Sequence, residues 1–211
     1  MADSLEAVAS EEVAAVDEVS SSLDKVKIFN KEIKYIKSEK YKEYLNNIIP
    51  LIPDYFFHVG ASSTGKYHPK FSNGEGGLLR HTKVAVRIAY EILNNPALNK
   101  FTDEEKDAIL VAILLHDSLK HGYVDEGHTR FDHPILASEF VLKNKFNLDD
   151  ESLKLISDLI KTHMGPWNKD KLGSQVLECP KTEIQKFVHM CDYLSSKKFL
   201  NVEFINDDIL Y

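Results

Sequence analysis

The chain has 211 residues, of which 43% are hydrophobic and 28% charged, and its formal net charge is −7. This is enough apolar material for one compact domain, and no run of 18 apolar residues occurs that could cross a membrane. The N-terminus has no basic stretch followed by an apolar one, so we expect no secretory signal. The two cysteines, Cys179 and Cys191, form no CxxC pair. This favours a reducing, cytoplasmic setting over a disulfide framework or a cysteine-rich zinc site.

The negative charge is concentrated at the N-terminus. Residues 1–24 hold seven acidic residues and no Lys or Arg, whereas residues 25–211 carry 26 acidic and 26 basic residues. We expect residues 1–24 to be a flexible acidic tail because they are poor in large apolar groups; a short docking helix is the alternative. Residues 25–211 are expected to form a single domain. Since that domain is formally neutral, we expect no long duplex nucleic acid as a partner, and the oligomeric state is left open.

Apolar residues recur at helical spacing along most of the chain from residue 25 onward. They predict two helices before Pro50, followed by a long loop over residues 58–77 that is dense in Gly and Ser. Loops of this length inside a domain are often functional. Thr102 and the acids after it predict a helix N-cap. With no strand ladder evident, the predicted fold class is all-α, with later helices at 78–93, 103–119, 132–145, 149–162 and 181–199.

The apolar run 108–115 ends abruptly in His116-Asp117. A buried carboxylate is costly unless it is paired, hydrogen-bonded or bound to a metal. Adjacent residues of an ideal helix point about 100° apart, so these two side chains can meet one ion only where the helix ends. Residues 118–122 provide a suitable end.

Four histidines and two aspartates share an apolar context near predicted helix ends: His81, His116, His133, His163, Asp117 and Asp192. Imidazole nitrogens and carboxylate oxygens together suit Zn, Mn, Fe, Co or Ni, and carboxylate-rich sites can also take Mg. Such an ion would compensate the charge of Asp117. For any one of these histidines alone, packing in the core or capping a helix is the competing interpretation.

Three segments place these residues on separate helices in a specific order: GGLLRHT (76–82), LLHDSLKHG (114–122) and VHMCDYLSSKK (188–198). This pattern resembles the HD-domain superfamily of metal-dependent phosphohydrolases. The segments DHPILAS (132–138) and KTHMGPW (161–167) resemble those that add ligands in two-metal members. The loop at 55–82 resembles the entry to the HD domain of one type of bacterial 3′-to-5′ exoribonuclease, and stand-alone HD proteins of this kind occur in bacteria and their viruses. The likeness covers about residues 50–200.

The resemblance implies an all-α HD-domain helical bundle with a long active-site loop. It implies that the first divalent ion is bound by His81, His116, Asp117 and Asp192. A second ion would be bound by His133 and His163 with Asp117 as a bridge. Met164 stands where some two-metal members have another His, so we expect one ion and leave the second open. Asp117 would also orient the attacking water, and Lys120 would face the substrate phosphate rather than solvent.

Three further residues are candidates for substrate contact, each with a structural role as the competing interpretation. His68 in the long loop would meet the phosphate or the nucleoside, or lie at the surface. Arg130 would give a bidentate phosphate contact, or remain a surface residue. Trp167, the only Trp in the chain, would stack on a base or pack in the core. Whether Arg80 reaches substrate or solvent is left open.

The expected function is hydrolysis of a phosphomonoester or phosphodiester in a nucleotide or short oligonucleotide by metal-activated water. The residues do not separate a nucleoside monophosphate, a triphosphate, a cyclic or signalling nucleotide and an RNA end. The alternative is a non-catalytic nucleotide- or metal-binding HD module that engages a protein partner. A metal-dependent oxygenase is a more distant third candidate.

Overall fold

The structure is a computed structural model that describes residues 24–62, 64–66, 68–170 and 172–210. It is built mainly of helices, so the predicted all-α fold is confirmed. The proposed acidic tail at 1–24 lies outside the described residues except for Asp24, and its flexibility stays a prediction. Within the described ranges, none of the helices combines the length and apolar character needed to cross a membrane.

The helices follow the predicted order with small differences in their bounds. In chain order they are α1 (Asn30–Ile33), α2 (Glu39–Ile48), α3 (Gly77–Leu93), α4 (Asp103–Leu115), α5 (His133–Lys143), α6 (Asp150–Lys161) and α7 (Glu183–Ser195). Residues 24–28 are also helical, so the first predicted helix is broken in two. Near the C-terminus, β1 (Phe204–Ile205) pairs antiparallel with β2 (Asp208–Ile209), a short ribbon that the sequence did not predict.

Side-chain caps explain where three of the long helices begin. Thr102 is the N-cap of α4, as predicted: it accepts a hydrogen bond from the backbone N–H of Glu105, and the two residues form a capping box. Thr182 forms the same arrangement with Gln185 at the start of α7. The carboxylate of Asp149 accepts from the Ser152 N–H at the start of α6. These local signals fix the helix starts independently of tertiary packing.

Helix α4 forms the centre of the domain. Every residue from Asp107 to Leu115 is buried, and α4 packs against α3, α6 and α7. A helix that is apolar on all sides is stable only when neighbours surround it. Its one buried acid in this stretch, Asp107, accepts hydrogen bonds from the backbone N–H groups of Lys37 and Ser38. Because α4 ends inside the domain, the residues that follow it, 116–120, are also buried.

Arg80 anchors the long loop before α3. Its guanidinium donates to the carbonyl oxygens of Phe71 at 2.6 Å and Glu75 at 2.7 Å, and it pairs with Asp207 at 2.7 Å. Arg80 therefore joins the loop to the turn between β1 and β2, and its guanidinium is engaged by the protein itself. The loop also packs so closely on α3 that a Cβ at Gly77 would lie 2.3 Å from the Ser72 carbonyl oxygen.

Candidate metal centre

Four imidazoles in the interior are oriented by the same kind of hydrogen bond. Each Nδ1 lies against an oxygen atom: His81 on the Ser195 hydroxyl at 3.1 Å, His116 on the Ile113 carbonyl at 2.6 Å, His133 on the Arg130 carbonyl at 2.6 Å, and His163 on the Ile160 carbonyl at 2.7 Å. A carbonyl oxygen can only accept, so Nδ1 carries the hydrogen in the last three. In the neutral ring this leaves a lone pair on Nε2.

His81 reaches the same tautomer through Ser195. The Ser195 hydroxyl donates its hydrogen to the Asp192 carbonyl oxygen at 2.7 Å. Its oxygen can therefore act only as the acceptor toward His81 Nδ1. All four Nε2 atoms are thus available as ligands, an arrangement that is typical of histidines that bind metals.

The four Nε2 atoms converge on two carboxylates. His81 Nε2 lies 3.0 Å from Asp192 Oδ1 and 3.8 Å from Asp117 Oδ2, while His116 Nε2 lies 3.5 Å and 3.3 Å from the same two oxygens. On the other side, His133 Nε2 is 3.0 Å from Asp117 Oδ1, and His163 Nε2 is 3.8 Å from it. Asp117 therefore lies between two pairs of imidazoles, with one oxygen facing each pair.

The ligand atoms fall into three overlapping groups that could each hold an ion. These groups are His81, His116 and Asp117; His116, His163 and Asp192; and Asp117, His133 and His163. Within each group, the ligand atoms lie within 4.8 Å of one another. The first and third groups share Asp117, which gives the chain the side chains for one ion or for two.

Several of the ligand atoms have no satisfactory partner within the protein. His133 Nε2 and His163 Nε2 are only 3.2 Å apart although both carry lone pairs. His116 Nε2 and Asp117 Oδ1 are buried and have no hydrogen-bond partner. Unpaired buried polar atoms are rare and costly. Each of these atoms belongs to at least one group that could hold a cation, so the residues present fit a divalent metal.

The pKa shifts in the centre show that the two carboxylates favour a positive charge beside them. Burial lowers the pKa of His116, but Asp117 and Asp192 outweigh it and raise that pKa to about 10. Burial raises the carboxyl pKa values, but His116 helps to hold those of Asp117 and Asp192 well below their usual range. Burial, together with His116 and His133, lowers the pKa of His163 to about 3. Without an ion, His116 therefore holds a proton with which a divalent cation would compete.

The helix ends bring these residues together. His116 and Asp117 follow the last residue of α4, in a series of turns that extends through residue 125. His133 opens α5, and His163 lies just beyond the end of α6, in the turn that contains Gly165. Helix α4 stops at Leu115 rather than at 119. His116 is the C-cap residue of α4 and keeps helical dihedrals, and tight turns follow it, so His116 and Asp117 lie together at the C-terminal end of the helix.

Lys120 lies within the same cluster. Its Nζ is 2.5 Å from Asp117 Oδ2, and its side chain is 11% exposed. The structure thus places Lys120 against the shared carboxylate rather than in solvent. This nearby cation is one of the charges that lower the pKa of Asp117.

His68 lies at the edge of the centre. Its ring meets the His81 ring edge-on, with the centroids 5.5 Å apart, and its buried Nδ1 has no hydrogen-bond partner. Burial, together with His81 and Lys120, lowers the pKa of His68 to about 4. The long loop therefore brings a neutral imidazole next to the first group of ligands.

Arg130 and Trp167 are placed differently from the ligands. The Arg130 guanidinium pairs with Glu126 at 2.5 Å and with Asp132 at 2.8 Å, while its carbonyl oxygen orients His133. Its charge is thus engaged by two neighbouring acids. Trp167 is 52% exposed and stacks on Tyr193, so it is not a core residue.

Sequence reasoning missed two residues that support this centre. Ser195 orients His81, and its only sequence signal is a small polar residue one helical turn after Asp192. Tyr193 supports Trp167 by stacking, and nothing local in the sequence indicated that contact. His189 also supports the centre, because its Nδ1–H donates to the His163 carbonyl oxygen at 2.7 Å.

A helical bundle that brings four imidazoles and two carboxylates together in its interior is typical of a metal-binding protein. In the comparisons with known proteins, a family model described as HD domain matches residues 68–197. The chain therefore belongs to the HD-domain family, whose members are generally metal-dependent hydrolases. Neither the curated proteins nor the solved structures gave a match. The likeness to the exoribonuclease type and to stand-alone bacterial or viral proteins stays a prediction.

Proposed function

We propose that this protein is a metal-dependent phosphohydrolase that cleaves a phosphomonoester or phosphodiester of a nucleotide or short oligonucleotide. The observation that carries the proposal is the convergence of four imidazole Nε2 atoms on two buried carboxylates. Membership of the HD-domain family supports the reaction class. The formal neutrality of residues 25–211 supports a small anionic substrate over a long polyanion.

The ligands divide into two sets around Asp117. His81, His116, Asp117 and Asp192 would hold the first ion, and Asp117, His133 and His163 a second. The majority of imidazoles favours Mn, Fe, Co, Ni or Zn over Mg. A bound ion of this kind supplies Lewis acidity, which polarises a phosphoryl oxygen and lowers the pKa of water. Because Met164 replaces a histidine that would be a further ligand of the second ion, we propose one bound ion and leave the second open.

The protein's own groups would perform the remaining tasks. Asp117 orients the attacking water by accepting its hydrogen bond. Lys120 turns from Asp117 toward the phosphate, where its ammonium stabilises the charge on the phosphoryl oxygens. His68 stays neutral near pH 7 because its pKa is about 4, so it contacts the substrate as a hydrogen-bonding group without adding charge. Two free cysteines, Cys179 and Cys191, are consistent with work in a reducing, cytoplasmic setting.

The test is a product-release screen on purified protein. The panel contains nucleoside mono-, di- and triphosphates, cyclic and linear dinucleotides, and short RNA and DNA, each with Mn²⁺, Mg²⁺, Co²⁺ or EDTA. We expect turnover of one substrate class that EDTA abolishes and added metal restores. His128→Gln is the matched control, since its ring is 64% exposed and lies outside the ligand groups. If metal is bound but no substrate of the panel is turned over, the non-catalytic binding module is favoured instead.

A further inference from the structure

An exposed aromatic cluster lies beside the candidate metal centre. The rings of Trp167 and Tyr193 are nearly parallel, at 16°, with their centroids 5.5 Å apart. His189 lies against both rings, 5.9 Å from Trp167 and 6.0 Å from Tyr193. The Lys197 ammonium lies 3.3 Å from the centre of the Tyr193 ring. We call Trp167, His189, Tyr193 and Lys197 the aromatic platform.

The platform is built on the same segments as the candidate ligands. His189 donates from Nδ1 to the His163 carbonyl oxygen at 2.7 Å, and Tyr193 directly follows Asp192 in α7. Gly165 lies between His163 and Trp167 with a φ of +60°, and a Cβ there would lie 2.3 Å from the His189 ring. The chain turn after His163 is thus shaped to fit against the platform.

Burial does not explain the two main rings. Trp167 is 52% exposed and Tyr193 is 38% exposed, whereas the core aromatics Phe29 and Phe56 are fully buried. Large aromatic surfaces left open to water are typical of binding sites. The rings are also held in place by one another and by the Lys197 cation. A rigid, stacked, partly exposed aromatic pair beside a cation suits a flat, anionic ligand.

We propose that the aromatic platform binds the base of a nucleotide whose phosphate lies at the metal centre. This inference rests on the proposed function and assigns a binding surface to the base of its substrate. Every base has a π-face that can stack on an aromatic side chain with little dependence on sequence. The positive charge of Lys197 favours a ligand that carries a negatively charged phosphate. A base-free sugar phosphate would reach only the metal centre.

The chain offers a direct reporter, because Trp167 is its only tryptophan. Its fluorescence is measured while the full-length protein, with Mg²⁺ and in parallel with EDTA, is titrated with AMP, GMP, CMP, UMP and the corresponding triphosphates. Ribose 5-phosphate serves as the base-free ligand, and N-acetyltryptophanamide corrects for light absorbed by the bases. We expect saturable quenching by one or more nucleotides and none by ribose 5-phosphate. Equal responses to nucleotides and ribose 5-phosphate, or no response to any nucleotide, would overturn the proposal.

Substitutions separate stacking from an indirect change in fluorescence. Tyr193→Ala keeps the reporter but removes its stacking partner, and we expect weaker quenching. Trp167→Ala, followed by calorimetry, should lower nucleotide affinity by about 5- to 100-fold, and Trp167→Phe should recover part of it. Phe199→Ala is the control, since it removes another exposed ring, 77% exposed, outside the platform. Equal nucleotide affinity in Trp167→Ala and in Phe199→Ala would overturn the proposal.

The outcome is independent of the hydrolase assignment. Quenching by nucleotides in a protein that hydrolyses nothing would support the platform and reject the proposed function. Turnover of phosphate esters with no preference for a base, and with no quenching, would support the hydrolase and reject the platform.

Discussion

Ser195 and His81 are joined by a hydrogen bond of 3.1 Å that fixes the proton position on a candidate metal ligand. Because Ser195 gives its own hydrogen to the Asp192 carbonyl oxygen, it accepts from His81 Nδ1 and leaves the Nε2 lone pair facing the centre. Ser195 is fully buried, so water cannot easily replace it. One hydroxyl thus links a ligand on α3 to the backbone of a ligand on α7.

We predict that Ser195→Ala weakens metal binding. Loss of the acceptor frees His81 to rotate or to change tautomer, and removal of such a supporting contact typically costs roughly 10- to 100-fold in metal affinity. The Mn²⁺ dissociation constant is measured by calorimetry, and the His81 tautomer by ¹⁵N NMR. Ser196→Ala is the matched control, because the Ser196 hydroxyl donates only to the Tyr193 carbonyl oxygen. An unchanged Mn²⁺ affinity in Ser195→Ala would contradict a positioning role.

We predict that Asp117→Ala abolishes hydrolysis and removes most bound metal. Asp117 is the carboxylate that both ligand sets share, so its loss should cost more than about 100-fold in affinity, beyond the cost of losing a supporting contact. Because the variant also leaves Lys120 buried without its partner, Asp117→Asn is tested in parallel to retain side-chain volume. Metal content and turnover are measured on both after circular dichroism confirms folding.

Asp158→Asn provides the control for loss of a carboxylate, since Asp158 pairs with Lys154 on the surface of α6. That variant should retain metal and turnover. Full activity with metal retained in Asp117→Asn and Asp117→Ala would reject the assignment of the centre.

The helices could be predicted from the sequence because their signals are local. Apolar spacing placed α3 to within one residue, and Thr102 marked the start of α4 through a capping box that spans only four residues. The convergence of the ligands is different. His81 and Asp192 are 111 residues apart along the chain, and only the resemblance to a known family brought them together in advance.

The contacts that the sequence did not predict depend on long-range packing or on exact helix ends. Arg80 pairs with Asp207, which is 127 residues away, and no pattern near either residue indicates the pair. Trp167 was left between base stacking and core packing, since exposure depends on what the rest of the chain covers. His116 and Asp117 lie at the C-terminal end of α4, which the sequence placed four residues too late, and helix ends are the least predictable part of a helix.

We predict that Asp149→Ala destabilises the domain in a pH-dependent way. The Asp149 carboxylate accepts hydrogen bonds from the Ser152 N–H and hydroxyl, and these contacts lower the pKa of Asp149 to about 2. Removing a helix N-cap costs about 1 kcal/mol. A carboxyl whose folded pKa is depressed stabilises the fold above its unfolded pKa of about 3.9. That contribution is lost as the pH falls from about 4 to 2.

Urea unfolding of the wild type and of Asp149→Ala at pH 7, 5, 4 and 3 measures the effect. The difference in the free energy of unfolding should be constant from pH 7 to 5 and shrink below pH 4. Asp150→Ala is the control, because the Asp150 side chain is 86% exposed and pairs with Lys145 at the surface, and it should cost less. A difference that grows as the pH falls would contradict the capping role.

We predict that deletion of residues 1–24 leaves kcat unchanged. All candidate ligands lie between residues 81 and 192, and the retained Lys25 holds the start of the domain by hydrogen bonds to the Pro50 and Ile52 carbonyl oxygens. The deletion removes seven negative charges, so any change should appear in KM for an anionic substrate at low salt and vanish as salt screens the charge. Replacing Glu11, Glu12, Asp17 and Glu18 by their amides in the full chain separates the effect of charge from that of length. A large loss of kcat in the deletion, with the amide variant still active, would show that the segment contributes to the active structure.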